Sequence, residues 1–567
     1  MIRFSLSPLT LGRTCVWLVV LLVAVSQPGL AAPTGPGTAA IASAHPQATA
    51  AGREILNQGG NAFDAAVAIA AALAVVEPAG SGLGGGGFWL LHRADDGFEV
   101  MVDARERAPL AAHADMYLDE AGQPVPGLSL DGPLAAAIPG TPAALVHIAE
   151  RYGRLSLNKS LAPARRLARR GFLVTERYQR LTGWRLRALR ASPAAAQVFL
   201  DGGVVPAEGY RVKQPDLARV LKQIAKHGRA GFYAGRTAKQ LVDGVRAAGG
   251  IWSLEDLAAY HVIERVPVKG TYRDVRITSA ALPSSGGIVL MQILNMLQDE
   301  ALEQLPSASR YHLLVEAMRR AYRDRALYLG DPDFVAVDTA RLLDQGYAGR
   351  LRASINANQA TASDTLSAPQ GDGTQTTHFS VMDAKGNRVA ATLTINYPFG
   401  SCFMPPQTGI LLNNEMDDFV VKPGVPNAYG LIGGQANAIA PGKTPLSSMT
   451  PTFLESPEAV VILGTPGGSR IITMVLLATL EFVEGRGGPQ DWVALPRFHH
   501  QYLPDTVVYE PGAFSAVDLQ ALRDLGHQLK EREQPYGNMQ IVFWDKRGNQ
   551  VDAASDPRGE GLAWVER

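Results

Sequence analysis

The spacing of hydrophobic positions divides this chain of 567 residues into helical and strand-like stretches. Residues 48–78 are mostly alanine and other apolar types, which predicts two helices separated at residues 59–60, with Asn61 as the cap of the second. Residues 140–350 are again mostly helical in pattern, with an apolar stripe at helical spacing over residues 313–321. The first two-thirds of the chain are therefore predicted to be mainly helical.

After residue 376 the apolar period changes to two, which predicts strands. Residues 383–387 (Asp-Ala-Lys-Gly-Asn) are a turn signal between two alternating runs, so residues 376–396 are predicted to form a β-hairpin. If the turn is centred on Lys385, Thr376 lies directly across from Thr394, with the two hydroxyls at the distance of a cross-strand pair. A slip of one residue would undo this pairing, so it depends on the register.

A glycine-rich run at residues 82–87 precedes a strand-like segment, residues 88–91. A dinucleotide-binding fingerprint needs a strand first, then the glycines and then a helix. The order here is different, so we reject a nucleotide site and predict close packing of the backbone against a neighbouring segment.

Composition and charge narrow the class of protein. The length exceeds that of a usual single core, which suggests two or more structural units. The chain has 53 basic and 53 acidic residues, a net charge of zero. Nucleic-acid binders carry clustered basic residues, so this balance argues against a nucleic-acid partner.

The first 31 residues have the features of a secretory signal peptide. Arg3 and Arg13 precede an apolar run at residues 16–25, and small residues follow, with cleavage predicted after Ala31. The run is too short for a comfortable membrane span, although an uncleaved anchor is the alternative. Cys15 lies in this segment, so the mature chain keeps Cys402 alone and forms no internal disulfide. We expect a periplasmic or secreted bacterial protein, with Cys402 as a buried apolar thiol rather than a catalytic one.

Residues 353–375 are polar and are predicted to form a mobile tether that ends at Thr376. Within a chain, a threonine hydroxyl has no base beside it. If the bond between Gln375 and Thr376 is cut, Thr376 gains a free α-amine, whose usual pKa is about 7.7–8.0. That amine can accept the hydroxyl proton, so one residue supplies both nucleophile and base.

Ordered motifs along most of the chain point to one family. They are His45-Pro46, GGNAFDAAVA at 59–68, the glycine run at 82–88, Asp-Ala-Arg-Glu at 103–106, PSSGG at 283–287, YLGDP at 328–332, TTHFSV at 376–381, LLNNEMDDF at 411–419, PLSSM at 445–449, GTPGGSR at 464–470 and PRFHH at 496–500. The sequence resembles the γ-glutamyltransferase (glutathione hydrolase) precursors of the N-terminal nucleophile hydrolase superfamily.

The resemblance implies an α+β fold, a four-layer αββα sandwich built jointly by two subunits after self-cleavage. The large subunit would be residues 32–375 and the small subunit residues 376–567, which begins with the nucleophile Thr376. The implied activity is formation of a γ-glutamyl ester on Thr376 and its transfer to water, an amino acid or a peptide. Glutathione and other γ-glutamyl compounds would be the donors, and no cofactor is expected.

The chemistry of a γ-glutamyl donor matches the residues in these motifs. Its α-ammonium needs acceptors, which Asn396, Glu415 and Asp418 offer, and its α-carboxylate needs donors. By resemblance, Arg105, Ser447 and Ser448 are the carboxylate ligands, and the backbone N–H groups of Gly467 and Gly468 form an oxyanion hole. Thr394 would orient the Thr376 hydroxyl. Residues 422–430 resemble the lid loop of the family, with Tyr429 reaching over the site toward Asn396.

This sequence departs from one familiar bacterial pattern at two positions. Glu415 stands where that pattern has a glutamine, and Asn396 is followed by Tyr397-Pro398 rather than by small hydroxyl residues. The second change alters the shape expected on the acceptor side.

Several alternatives stay open at this point. His378 is predicted to be a packed or hydrogen-bonded histidine rather than a general base, and His499-His500 lacks further ligands at zinc spacing, so no metal is expected. A glutaryl-type cephalosporin acylase has the same fold, although Asp418 as a cation partner favours a γ-glutamyl donor. An unprocessed exported binding protein without catalysis is the alternative from another class.

Overall fold

The structure, a computed structural model, describes residues 35–363, 376–422 and 424–567. The predicted signal peptide, most of the predicted tether and Gln375 lie outside these residues. The strands are β1 (Ala40–Ser43), β2 (Gly86–Arg93), β3 (Phe98–Ala104), β4 (Phe172–Leu173), β5 (Arg211–Val212), β6 (Ile263–Arg265), β7 (Val268–Tyr272), β8 (Val275–Ser279), β9 (Thr377–Met382), β10 (Arg388–Thr394), β11 (Thr452–Glu455), β12 (Ala459–Gly464), β13 (Phe498–His499), β14 (Val507–Tyr509), β15 (Leu529–Glu531), β16 (Gln540–Asp545), β17 (Gln550–Ser555) and β18 (Leu562–Val565).

Helices are the main regular secondary structure of residues 35–363, as the apolar spacing predicted, and three more helices follow residue 376. They are α1 (Pro46–Asn57), α2 (Ala62–Val76), α3 (Thr141–Arg151), α4 (Leu157–Ser160), α5 (Ala162–Arg170), α6 (Glu176–Ala191), α7 (Pro193–Phe199), α8 (Pro215–His227), α9 (Ala230–Tyr233), α10 (Gly235–Ala247), α11 (Leu254–Ala259), α12 (Gly286–Met296), α13 (Ser307–Tyr328), α14 (Thr339–Leu342), α15 (Gln345–Ala353), α16 (Ile471–Val483), α17 (Pro489–Ala494) and α18 (Ala516–Asp524).

Two large antiparallel sheets form the centre of the fold. The first has seven strands in the order β18-β1-β9-β10-β2-β3-β6, and the second has six in the order β17-β16-β12-β11-β8-β7. Strands β9 and β10 of the first sheet lie against β12 and β16 of the second. Each sheet contains strands from both sides of residue 376, so neither predicted subunit forms a complete sheet alone.

Helices cover the outer face of each sheet. Helices α1, α2 and α3 pack on the first sheet, while α12, α16 and α17 pack on the second. Alternate side chains of a strand enter different cores: Ile41 and Val381 pack under the first helical layer, whereas Ala40 and Met382 face the second sheet. The predicted four-layer αββα sandwich is confirmed.

The two N-terminal helices follow the predicted pattern. Asn61 caps α2, and its side chain accepts hydrogen bonds from the backbone of Phe63 and Asp64 while Asp64 caps in return. The glycine run after α2 is tightly packed, because a Cβ on Gly85 would lie 2.0 Å from the carbonyl oxygen of Thr394 and one on Gly84 would lie 2.0 Å from that of Leu411. The predicted close approach of the backbone is confirmed, and it borders the hairpin.

The predicted hairpin is present with the predicted register. Strands β9 and β10 are antiparallel, with Leu393 opposite Thr377 and Thr392 opposite His378. One further step places Thr376, the residue before β9, opposite Thr394, the last residue of β10. The turn is therefore centred on Lys385, as the sequence predicted.

The described start of the predicted tether, residues 354–363, is anchored rather than mobile. The backbone N–H and hydroxyl of Thr361 donate to the Glu316 carboxylate, and the backbone N–H of Ser363 donates to Asp505 over 2.7 Å. Most side chains of the segment are exposed, and these hydrogen bonds hold its far end, residues 361–363, against the rest of the protein.

Candidate active site

One pocket gathers most of the residues that the sequence singled out. Its lining includes Arg105, Thr376, Thr394, Asn396, Glu415, Asp418, Tyr429, Ser447, Ser448 and Gly468. Gly467 directly precedes the last of these, and Gln375 lies outside the described residues. Contributions from both predicted subunits thus meet around Thr376.

The hairpin end positions the predicted nucleophile. Thr376 is buried, and Thr394 opposite it accepts a hydrogen bond at Oγ1 from the backbone N–H of Asn396 over 2.7 Å. Asn396 has a φ of 70°, in the left-handed region, and its Nδ2 donates to the carbonyl oxygen of Asn414. The chain therefore turns sharply after Thr394, and this turn places Asn396 in the pocket beside Thr376.

A glycine turn follows β12 on the other side of the pocket. Gly467 has a φ of 148° and Gly468 one of 58°. A Cβ on Gly468 would lie 2.4 Å from Cδ1 of Tyr429, so both the backbone conformation and the packing require glycine here. The turn leads into α16, and its backbone N–H groups, which no side chain hinders, are the candidates for the predicted oxyanion hole.

Arg105 lies at the centre of an acidic cluster. It follows β3, and its guanidinium donates to Glu415 and to Asp418, in the second case over 2.5 Å. Glu106 lies 3.7 Å from the same guanidinium. The residues predicted as ligands of the substrate carboxylate and of the substrate ammonium therefore contact each other in this structure.

Three carboxyl groups share this one guanidinium; Arg105, Glu106 and Glu415 are buried, and the Asp418 side chain is 13% exposed. Burial raises the pKa of Glu106 to about 7 and raises those of Glu415 and Asp418, although Arg105 opposes these shifts. Burial alone would lower the pKa of Arg105, but attraction by Glu415, Asp418 and Glu106 raises it overall. Within the described residues, Glu415 Oε2 has no hydrogen-bond partner. The cluster therefore has more carboxyl groups than cations, and one carboxyl oxygen is left as an unused acceptor.

The serine pair is held beside Arg105 by two segments. The backbone of Ser447 forms a bridge with Ser284 of the PSSGG motif, and its carbonyl oxygen accepts from the Ser285 hydroxyl over 2.7 Å. Ser448 Oγ accepts a hydrogen bond from Arg325 over 3.1 Å. Arg325 also donates to Ser285, so it fixes both segments at the carboxylate-side wall.

Tyr429, the residue that the lid motif singled out, lines the pocket. Its hydroxyl donates to the backbone carbonyl of Asn396 over 2.7 Å, and its ring lies against Gly468. The ring of Tyr397 is 6.3 Å from that of Tyr429 in an edge-on arrangement. The aromatic residue that departs from the familiar bacterial pattern therefore packs near Tyr429.

Two side chains take the structural roles expected of them. His378 is buried and hydrogen-bonds to Thr392 and Ser380, and burial lowers its pKa to about 3, so it is neutral at pH 7. Cys402 is a buried free thiol, and burial raises its pKa to about 12. Neither has the properties of a catalytic group.

Three residues of the site were not identified from the sequence. Arg325 comes from the last turn of α13, beyond the apolar stripe of residues 313–321, and Glu106 lies in a motif in which it was given no role. Gln501 joins Ser469, which donates to it over 2.6 Å, to the backbone carbonyl of Tyr429. Of these three residues, only Glu106 could have been identified from the sequence, because it is adjacent to Arg105.

Comparisons with known proteins agree with this geometry. The family described as Gamma-glutamyltranspeptidase matches residues 48–565. The chain is 42% identical to a glutathione hydrolase proenzyme of Pseudomonas sp. (strain A14), covering 94% of this chain and 95% of that protein. It is 41% identical to a glutathione hydrolase proenzyme of Escherichia coli (strain K12), covering 91% and 90% of the two chains.

Among solved structures, a cephalosporin acylase from Bacillus halodurans superimposes with a TM-score of 0.83 at 27% identity, covering 93% of this chain and 95% of that one. The chain belongs to the gamma-glutamyltranspeptidase family, and the predictions of this family, of an enzyme and of its fold are confirmed. Within the residues that the structure describes, no helix combines the length and hydrophobicity needed to cross a membrane.

Proposed function

We propose that this protein cleaves its own chain before Thr376 and then acts as a γ-glutamyltransferase and glutathione hydrolase with Thr376 as nucleophile and base. The observation that carries this proposal is the single pocket that joins Thr376 to Arg105, Glu415 and Asp418. The Thr376 hydroxyl lies near carboxylates that can accept from an ammonium group and near Arg105, which can donate to a carboxylate. This arrangement is complementary to a substrate that carries an amide at one end and a free α-ammonium and α-carboxylate at the other.

The charge balance favours a γ-glutamyl group over other acyl groups. Its α-ammonium would approach Glu415 Oε2, which lacks a partner within the described residues, and the neighbouring Asp418. Its α-carboxylate would contact Arg105, Ser447 and Ser448. Each charge-assisted hydrogen bond contributes about 1.5–3 kcal/mol. The donor adds one positive and one negative charge. When it separates Arg105 from its acidic partners, its α-carboxylate therefore pairs with Arg105 and its α-ammonium pairs with the acidic groups.

The first reaction is cleavage of the precursor. The Thr376 hydroxyl attacks the carbonyl carbon of Gln375, an N-to-O acyl shift converts the peptide bond into an ester, and water hydrolyses that ester. The products are a carboxylate on Gln375 and a free α-amine on Thr376. Thr394, opposite Thr376 in the hairpin, would orient the hydroxyl during this step.

In the second reaction the Thr376 amine accepts the proton as its hydroxyl oxygen attacks the γ-carbonyl of the donor. The oxyanion forms near the N–H groups of Gly467 and Gly468; losing one such donor typically costs about 10²–10³ in rate. The tetrahedral intermediate collapses, the amine product leaves with a proton, and a γ-glutamyl ester remains on Thr376. Water or an acceptor amine then attacks this ester and restores the Thr376 hydroxyl.

Substrate entry requires movement at the lid. The pocket around Thr376 encloses about 20 Å³, which is room for about one water molecule. A γ-glutamyl group is far larger, so the Tyr429–Asn396 hydrogen bond must open, or the contacts of Arg105 with its acidic partners must change, before the donor binds. Tyr429 lies in a loop, since residues 424–434 form neither helix nor strand.

The remaining parts of the proposal concern maturation. Residues 1–31 would be a signal peptide that directs the protein to a bacterial periplasm or exterior. Residues 32–375 and 376–567 would remain associated after cleavage as a heterodimer of large and small subunits. The mixed sheets support this, because strand β1 of the large part lies between β18 and β9 of the small part.

A glutaryl-type acylase is the second candidate function, and the similarity to the Bacillus halodurans cephalosporin acylase favours it. A glutaryl group lacks the α-ammonium. A bound glutaryl group would therefore offer no cation to Glu415 and Asp418. Carboxylates away from solvent are unfavourable without a positive partner.

The two candidates can be separated by turnover of matched chromogenic anilides. Purified protein should hydrolyse a γ-glutamyl anilide and show two bands on a denaturing gel, the smaller with the N-terminal sequence Thr-Thr-His. Faster turnover of the glutaryl anilide would support the acylase. An intact chain that binds glutamate without turnover would instead indicate a binding protein.

A further inference from the structure

Thr376 is followed by a second threonine whose side chain lies on the opposite face of the first sheet. Successive residues of a strand point to opposite faces. Thr376 lines the pocket, whereas Thr377, the first residue of β9, alternates in step with Phe379 and Val381, which pack under the first helical layer. Thr377 is fully buried, so its hydroxyl needs a partner on the side away from the substrate.

The partner of this hydroxyl is a carboxyl group from the helical layer. Glu77 directly follows α2, and its Oε2 accepts a hydrogen bond from Thr377 Oγ1 over 2.5 Å. Arg177, in the first turn of α6, lies 3.6 Å from the other oxygen, Oε1. The hydrogen bond therefore joins the predicted large subunit to the residue that directly follows Thr376.

The strand that carries Thr376 is paired unequally on its two sides. Among the described residues, β10 pairs with β9 from Thr377 to Met382, whereas β1 pairs with it only from Phe379 to Met382. The first two residues of β9 thus have a partner strand on one side. The hydrogen bond from Thr377 to Glu77 adds a constraint from outside the sheet at this end of the strand.

Local preference does not explain a glutamate at this position. Glu77 is the C-cap of α2, where the helix dipole disfavours negative charge. Burial raises the pKa of Glu77 to about 7, although Arg177 and Thr377 lower it and Glu560 raises it further. The neutral form is therefore populated near pH 7, and an oxygen that accepts from Thr377 matters more than a full charge. Residues placed against local preference are expected at functional sites.

We propose that Glu77 is a positioning residue for both reactions of Thr376, and that it acts by holding the Thr377 hydroxyl. This contact fixes the backbone beside Thr376, and with it the direction of the Thr376 hydroxyl and, after cleavage, of the α-amine. Glu77 itself lies on the other face of the sheet and does not touch the donor. A misplacement of about 1 Å can cost about 10²-fold in rate. The inference rests on the proposed function, because it needs Thr376 as the nucleophile.

The test removes each side of the hydrogen bond in turn. Thr377→Val deletes the hydroxyl and keeps the shape of the side chain, and Glu77→Ala deletes the acceptor. Self-cleavage of the full chain is followed on denaturing gels after cell-free synthesis, and kcat and KM for a γ-glutamyl anilide are measured per cleaved chain. We expect both variants to lose about 10- to 100-fold in the rate of self-cleavage and in kcat. KM should stay within about 2-fold of wild type, because the groups that bind the donor are unchanged.

Conservative variants separate positioning from a purely structural role. Glu77→Gln keeps an acceptor oxygen and Thr377→Ser keeps the hydroxyl, so each should stay within about 3-fold of the wild-type kcat. The double variant Glu77→Ala, Thr377→Val should be no slower than either single variant, because all three lack the same hydrogen bond. Glu150→Ala is the matched control, since Glu150 also lies in the last turn of a helix of the first layer but is exposed. It should leave both rates unchanged.

Two results would overturn the inference: wild-type rates of both reactions in Thr377→Val, or losses in the single variants that add up in the double variant. If Glu77→Ala does not fold, Thr377→Val and Thr377→Ser decide the question between them. A lower Tm with a normal kcat per cleaved chain would show that the hydrogen bond stabilises the fold alone. Failure of the proposed function is distinct, because then the wild-type chain itself would neither cut itself nor release aniline.

Discussion

Two clusters of charged side chains in this protein differ in their ratio of acidic to basic groups. In the pocket, Glu106, Glu415 and Asp418 surround the single guanidinium of Arg105. The second cluster, here called the anchor network, consists of Glu316, Arg319, Arg320 and Asp505 and fixes residues 354–363. It contains two acids and two bases.

The groups of the anchor network are also well satisfied. Glu316 accepts from Arg319, from Arg320 and twice from Thr361. The pKa values of Glu316 and Asp505 are lowered, because hydrogen bonds and positive neighbours outweigh burial. The pKa values of Glu106, Glu415 and Asp418 are raised. A balanced, saturated network stabilises the fold, whereas an unbalanced one is suited to receive a charged ligand.

The anchor network also explains why a nearby cluster does not indicate a metal site. His312, Glu316 and His527 lie close enough together to hold an ion. However, both carboxylate oxygens of Glu316 are engaged by arginines, and His312 is already bonded to His527 over 2.8 Å. A further cation beside Arg319 and Arg320 would be repelled.

Removing the nucleophile should abolish activity without disturbing either cluster of charged side chains. Thr376→Ala should remain uncut and lose at least about 10⁴-fold in turnover of a γ-glutamyl anilide, because the nucleophile and its amine are both lost. The clusters should be unaffected, so the precursor should still fold. A gel and a rate measurement check this; a cut or active variant would show that Thr376 has neither role.

The next effect concerns stability. Glu316→Gln leaves Arg319 and Arg320 without their carboxylate, which should destabilise the protein by about 3–5 kcal/mol and lower Tm. The kcat/KM per cleaved chain should stay near the wild-type value. Glu120→Gln, at an exposed position, is the control and should change stability by less than about 0.5 kcal/mol. A normal Tm in Glu316→Gln would remove the structural role assigned to the anchor network.

A substitution in the pocket cluster should lower activity rather than stability. Asp418→Asn removes one of three acids from the cluster, so kcat/KM for a γ-glutamyl donor should fall by about 10- to 150-fold, while Tm should hold or rise. Asp524→Asn, at an exposed position of α18, provides the comparison for a surface change. If Asp418→Asn lost stability and kept its activity, the pocket cluster would stabilise the fold as the anchor network does, and it would not bind the donor.

The smallest effect is a dependence of stability on pH. Because the pKa of Glu106 is raised to about 7 in the folded protein, its contribution to stability is complete at low pH and is lost as the pH rises from about 4.5 to about 7. Glu316 and Asp505 act in the reverse direction, losing their contribution only in acid, as the pH falls below about 4.

Thermal unfolding between pH 4.5 and 7.5 tests this contribution, which amounts to at most about 1.4 kcal/mol for each unit of pKa shift. The decline toward neutral pH should be smaller in Glu106→Gln than in wild type. Equal slopes in the two proteins would contradict the raised pKa.

The hairpin shows what the sequence could predict well. The turn at residues 383–387 and the period of two determined the register, and with it the position of Thr394 opposite Thr376. Local chemistry specified these features, so they needed no knowledge of the rest of the fold.

Contacts between distant segments were beyond the sequence. Arg105 meets Glu415 across 310 positions, and Arg325 meets Ser448 across 123. The motifs identified Arg105 and Glu415 as ligands of opposite charge, but their mutual contact follows from the packing of the sheets and loops. The anchoring of residues 354–363 was missed for the same reason, since a polar segment can be solvated or bound to a buried network.

The central claim is that Thr376 is the N-terminal residue that carries the γ-glutamyl group. Mass analysis of the enzyme, quenched during turnover of a γ-glutamyl donor, tests it most directly. We expect a small chain that begins at Thr376, with one γ-glutamyl adduct located on Thr376 by peptide fragmentation. An active chain that is uncut at this bond, or an adduct on any other residue, would contradict it.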